Sequence, residues 1–214
     1  MKNSDSAKQY VKGEQTRQHI LDVAKTEFLE KGYLGVSIRN IAKIAEVTTG
    51  AVFRYFPDKE SLFGALVDSV ADTVLSMYSK GNQQGYQLLE GGEPQKMWQI
   101  SDQFIYNFVE YLFANKEAFS LLINGSGGSP YEGFIDNLVA EVERQTYSFL
   151  QEMLKKEYPC KKLSSDEIHV LISAQYHAIF EIVRHDLSKE DAISRLRLIG
   201  DFFRPGWNSI FGGK

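Results

Sequence analysis

One cysteine, five prolines and two tryptophans in 214 residues leave this chain few of the means by which small folds are stapled or kinked. Cys160 has no partner in the chain, so no internal disulfide can form, and its place beside Pro159 and two lysines reads as a surface-loop thiol. No run of about 18 apolar residues occurs, which excludes a membrane-spanning helix, and Met1 to Tyr10 is polar rather than a secretory leader. The expected setting is soluble and cytoplasmic, with no membrane partner. Sustained alternation of apolar and polar residues is missing too, so strands are not expected. Gly125-Ser-Gly-Gly-Ser-Pro130 lacks the Gly-Lys-Ser/Thr ending that cradles phosphates, and reads as a flexible loop rather than a nucleotide site. Ser, His and Asp occur, but in no nucleophile elbow or triad context, so catalysis has no positive support and no cofactor is expected. His169, His177 and His185 recur every eight residues, a spacing that drifts around a helix by about 80° per step. His177 and Glu181 could share one metal ion, yet solvated or interface histidines explain the pattern as well, and no metal site is expected.

What is present is apolar material, 43 % of the chain, arranged at helical spacing between Gly, Pro and Ser clusters. An all-α protein follows. The most informative segment is residues 37–63, SIRNIAKIAEVTTGAVFRYFPDKESLF, which reads as two short helices, a tight turn and the start of a third. Ser37 can cap the first helix, on which Ile38, Ile41, Ala42 and Ala45 share one face. Thr48 can cap the second, whose Ala51, Val52, Phe53 and Phe56 can pack back on the first while Thr49, Gly50, Arg54 and Tyr55 stay outside. Small and polar outward residues suit a helix that enters a DNA groove. An earlier helix, Thr16 to Lys31, carries Ile20, Leu21, Ala24 and Phe28 and ends at Gly32-Tyr33.

In this order of residues the chain resembles the tetracycline repressor (TetR/AcrR) family of bacterial regulators over residues 14–66. The opening A…F…G-Y and the run Tyr55-Phe56-Pro57-Asp58-Lys59-Glu60-Ser61-Leu62, similar to the family's Y-F-x-x-K-E-x-L, carry the likeness. Two positions depart from it. Glu46 stands where the family usually has a turn glycine, so a residue with a Cβ is expected at positive φ, a strain of order 1 kcal/mol. Phe53 stands where the family usually has Tyr, which removes a phosphate-binding hydroxyl and is expected to keep a core-facing ring. The resemblance implies a helix-turn-helix domain over residues 10–60, with the motif at about 37–56, and a ligand-binding and dimerisation domain over 61–214.

Charge agrees with that division. Residues 1–60 carry ten Lys and Arg against eight Asp and Glu, a balance of +2, whereas residues 61–214 carry −6. Phosphate affinity comes from Lys and Arg near the backbone, and a net acidic body avoids wrapping nucleic acid, so double-stranded DNA should touch only the N-terminal end. Arg39, Thr49 and Gly50 are the expected base readers, Gly50 because a missing side chain permits close approach. Ser37, Thr48, Tyr55 and Lys59 are the expected phosphate anchors.

Beyond residue 61, Asp58 can cap a fourth helix bearing Leu62, Leu66, Val70, Val74 and Met77. Lys80 to Pro94, with four glycines, reads as a loop or frayed connector. Helices are expected at Gln95 to Asn115, at Lys116 to Asn124 and from about Tyr131 to Glu157. Two more begin at a Ser164–Glu167 capping box and at Ser188. Nine aromatics crowd residues 98–134, among them Trp98, Phe104, Phe108 and Tyr111. An aromatic-lined cavity with a few polar tips is how small-molecule sites are built. Phe104, Phe108 and Tyr111 are the expected ligand contacts, with plain core the alternative for any one ring. The last two helices carry more apolar surface than one copy can bury, and the resemblance implies that they form a homodimer seam through Ile179, Ile182, Leu196, Ile199 and Phe202. The resulting expectation is a ligand-responsive DNA-binding regulator, a repressor released from its operator by a small-molecule effector. The alternatives are a ligand-independent architectural DNA binder and an enzyme with a fused DNA-binding end.

Overall fold

The computed structural model describes residues 2–94, 97–185 and 187–212, with side chains described outside 2–10, 97–103 and 105. Its described residues form helices α1 (Lys2–Gly35), α2 (Ile38–Ile44), α3 (Thr49–Tyr55), α4 (Lys59–Glu90), α5 (Met97–Ala114), α6 (Lys116–Asn124), α7 (Phe134–Lys155), α8 (Ser165–Arg184) and α9 (Lys189–Ile210), and no strand. Trp98 lies outside the described side chains.

The chain separates into two compact units: one up to Val70 together with Glu117–Glu132, the other Ala71–Lys116 with Gly133 onward. In the first unit α1 begins well before Thr16 but breaks where the sequence stops it, at Gly32 with φ 66° and ψ 171°. Its stripe of Ile20, Leu21, Ala24 and Phe28 is buried against α2 and α3. Phe63 of α4 packs edge-on against Phe28 at 5.0 Å between centroids and against Tyr33 at 5.3 Å, and Tyr131 joins the same cluster.

The Gly125–Pro130 segment, read above as a flexible break, is packed into this unit. The Tyr33 N–H donates to the Gly125 carbonyl at 2.7 Å, Ser126 and Ser129 are buried, and the Tyr131 hydroxyl bonds to Asp68. Lys25 pairs with Glu117 at 2.5 Å at the start of α6. A cut at residue 60 does not anticipate that α6 and its loop go with the N-terminal helices.

In the second unit α7 packs on α8, and α9 on both α8 and α5. Phe108, Leu138, Leu150, Ile168, Phe180 and Leu196 are among its buried residues. The Ser164–Glu167 capping box forms as expected, and Ser188 caps α9. Two boundaries differ from the sequence reading. α7 starts at Phe134 rather than Tyr131, and ends at Lys155 with Glu157 at φ 59°. α4 does not stop near Lys80: it continues through Gly81 and Gly85 to Glu90, so the glycine-rich stretch is mostly helix. Leu89 explains the continuation, because it is buried against Phe149 and Met153, and tertiary burial outweighs the roughly 1 kcal/mol that each helical glycine costs.

Candidate nucleic-acid interface

Two short helices of seven residues each cannot persist by propensity, so caps and packing must hold them. Ser37 Oγ accepts the Asn40 N–H at 3.2 Å to start α2, and Thr48 Oγ1 accepts the Ala51 N–H at 3.1 Å to start α3. Each hydroxyl keeps its own proton free to donate to a phosphate. The turn between the helices closes with the Val47 N–H on the Ala42 carbonyl at 3.0 Å, and it places Glu46 at φ 53°, the strained conformation expected where a glycine is absent. Beneath, Glu27 of α1 is 6 % exposed and accepts both Lys31 Nζ at 2.5 Å and Asn40 Nδ2 at 2.6 Å, which pins α2 to α1.

The outer face is built from what remains. Arg39 and Gly50 are exposed and Thr49 half-exposed. A Cβ at Gly50 would meet only Thr48 Oγ1, at 3.9 Å, so the fold itself does not require a glycine there. Lys43 and Arg54, neither among the expected contacts, are exposed in the last turns of α2 and α3 and add two cations to the same motif. The sequence already puts Arg54 outside, and Lys43, off the buried face of Ile41, Ala42 and Ala45, is the one that helical spacing could have added.

Two expectations are corrected. Phe53 does not face the core: Val52 and Phe56 fill that side, and the Phe53 ring is 46 % exposed. Lys59 is turned inward rather than toward a phosphate. Its ammonium donates to the Val36 carbonyl at 2.9 Å and lies 4.2 Å from the centre of the Tyr33 ring, where burial lowers its pKa. Tyr55 is half-buried, its hydroxyl 3.7 Å from where a Cβ on Gly13 would sit.

The family model for bacterial regulatory proteins of the tetR family matches residues 20–66, the stretch that holds this whole face. Over 53 residues the chain is 47 % identical to the HTH-type transcriptional regulator AcrR of Shigella flexneri, a match covering 25 % of each protein. Over 65 residues it is 37 % identical to the HTH-type transcriptional repressor AcnR of Corynebacterium glutamicum, covering 30 % of this chain and 35 % of that one. Over residues 20–66 this chain carries the N-terminal domain of bacterial regulatory proteins of the tetR family. It spans only about a quarter to a third of the length of those curated relatives. Across nearly the whole chain the fold is that of NalD, the secondary repressor of the MexAB-OprM multidrug efflux pump in Pseudomonas aeruginosa, with a TM-score of 0.55 and 17 % identity over 92 % of this chain and 96 % of that one.

The remaining expected sites lie in the second unit. Phe104 and Tyr176 line a cavity of about 220 Å³ together with Tyr78, Asn82, Gln145 and Phe149. Phe108 is buried and borders only a smaller recess of about 60 Å³ shared with Tyr78, Phe104 and Tyr176. Tyr111 is half-buried and borders neither. The sequence reading missed Tyr78 and Tyr176 because they stand nearly a hundred positions apart on α4 and α8 and meet only in the fold. Of the expected seam residues, Ile179, Ile182 and Leu196 are buried within one copy of the chain, which removes them from the surface a second copy could cover. Ile199 is half-exposed, and Phe202 is 76 % exposed beside Leu198 at 70 %, with Val170 of α8 at 64 %. His177 bonds to the Ser173 carbonyl at 2.8 Å, and Glu181 is taken by Arg184 and His185. Among the described residues no helix is long and apolar enough to cross a membrane.

Proposed function

We propose that this chain is a ligand-responsive transcriptional repressor that grips operator DNA as a homodimer and lets go when a small molecule occupies its second unit. The observation that supports the reading is the capped α2–α3 pair, with Arg39 and Gly50 exposed, Thr49 half-exposed, and a buried clamp at Glu27 holding α2 to α1. α3 would enter the major groove, where the Arg39 guanidinium has the fork geometry for a guanine edge and bare Gly50 admits a base closely. The free hydroxyl protons of Ser37 and Thr48, with Lys43 and Arg54, suit the phosphates on either side. AcrR is named a transcriptional regulator and AcnR a repressor, which favours the same use of this domain here.

Dimerisation draws on the exposed apolar residues Leu198 and Phe202, one turn apart on α9, with Val170 of α8. Two copies would place their reading helices about 34 to 36 Å apart, one turn of DNA. A ligand that stabilises any other spacing weakens the complex by the difference in its affinity for the two states. The test is a gel shift on duplexes selected by the protein itself. Arg39→Ala should lose about 1 to 3 kcal/mol and relax one base position, whereas an unchanged affinity and sequence preference would sink the docking face.

A further inference from the structure

Binding at the second unit's cavity deepens the sensing role proposed above and rests on it only for the effect on DNA. Gly81 and Gly85 stand one turn apart on α4 and both line the cavity. A Cβ at Gly81 would meet nothing within 4 Å, and one at Gly85 only the Phe149 ring at 3.6 Å, so the glycines leave room that side chains would fill. One turn earlier, the Tyr78 hydroxyl is buried and has no hydrogen-bond partner among the described residues. Its ring packs at 4.6 Å on Phe104 and 5.3 Å on Tyr176. A buried hydroxyl without a partner is costly, and a cavity beside it invites the missing group.

Among the described residues no Asp, Glu, Lys, Arg or His lines this cavity, whose polar groups are phenols, amides and a hydroxyl. Burial lifts the pKa of both Tyr78 and Tyr176, and the Tyr176 hydroxyl lies near enough to couple with that of Tyr78 without reaching hydrogen-bond geometry, so each stays a neutral hydroxyl. An ion placed here would shed part of its hydration and find no countercharge among the described residues. The walls offer rings at Phe104, Phe149 and Tyr176 for offset or edge packing. As to size, an apolar cavity of about 150 Å³ holds benzene, so 220 Å³ admits one or two fused rings. We propose that this cavity binds an uncharged ligand of one or two aromatic rings carrying a hydrogen-bond acceptor, which takes the unmet hydrogen bond of the Tyr78 hydroxyl. A wider groove of about 390 Å³ along α5 and α9 is different in kind, since Arg197, Asp201 and Arg204 line it.

Calorimetric titration of the full chain with 1-acetonaphthone, 1-naphthoate and 1-naphthylmethylamine compares a neutral acceptor with an anion and a cation of like shape. The ketone should bind at least tenfold more tightly than either ion. Tyr78→Phe, which removes only the orphaned hydroxyl, should weaken the ketone by about five- to tenfold while melting no lower than the parent. Gly81→Leu should fill the cavity and abolish binding with the helical spectrum intact. Equal or tighter binding of an ion, an unchanged ketone affinity in Tyr78→Phe, survival of binding in Gly81→Leu, or no binding at all would each overturn the proposal. Ketone binding that leaves operator DNA bound would uphold the ligand class and defeat the sensing role instead.

Discussion

At Gly50 the absence of a side chain has no structural cause, since a Cβ there finds open space. Gly50→Ala should therefore raise stability by up to about 1 kcal/mol through helix propensity, yet weaken operator binding; thermal melts and gel shifts on one sample separate the two effects. Glu46 poses the opposite case, because its φ of 53° strains a residue that has a Cβ. Glu46→Gly should stabilise the first unit by about 1 kcal/mol, and a lower melting temperature would show that the Glu46 side chain contributes more than its backbone costs. The caps at Ser37 and Thr48 and the strain at Glu46 were legible in the sequence, because each depends on chemistry within a few residues. Phe53 and Lys59 were not. Phe53 is displaced by its own neighbours, since Val52 and Phe56 fill the core side of so short a helix, and Lys59 by groups distant in the chain, the Val36 carbonyl and Tyr33 ring having captured the ammonium.

Among the elements, α4 shows how composition misleads. Glycines at 81 and 85 suggest a break, but Leu89 is anchored on Phe149 and Met153, so the helix runs on and the glycines become space beside a cavity. No local signal distinguishes a glycine that ends a helix from one that hollows a site. α7 carries a pH dependence of its own. Arg144 and then Gln145 hydrogen-bond to the Glu141 carboxylate and hold its pKa down from the ordinary 4.5 to about 2. A depressed carboxylate pKa means stability that is present above the unfolded value and lost as pH falls through the folded one. The stability of the chain should thus decline between about pH 4.5 and 2, and Glu141→Gln should flatten part of that slope in acid melts. Solvent screening at this largely exposed pair keeps the contribution small, so an identical slope in the variant would assign the acid sensitivity elsewhere.

For the molecule as a whole, the proposed seam falls where one copy of the chain leaves apolar surface uncovered. Ile179, Ile182 and Leu196 looked like seam residues because periodicity marks an apolar stripe without saying which part of it the chain covers for itself. Phe202 and Leu198 are what remains outside. Phe202→Glu should accordingly yield a folded monomer by sedimentation at micromolar concentration. Ile179→Asp, which buries an unpaired charge, should unfold the chain instead. A parent protein that sediments as a monomer would remove the dimer from the account. Fold class and the reading motif were legible because both rest on local periodicity and caps. The cavity was not, because Tyr78, Gly81, Phe104, Phe149 and Tyr176 come from four helices.

Selection of bound duplexes from a random-sequence pool, run in parallel on the parent, Arg39→Ala and Phe202→Glu, tests the claim that this fold reads DNA as a pair. The parent should enrich an inverted repeat whose half-sites are centred about 10 base pairs apart or a multiple of that. Arg39→Ala should blur one position in each half-site, and Phe202→Glu should bind single half-sites weakly or none. A parent protein that enriches no sequence, or enriches the same one when Arg39 is gone, would contradict the account.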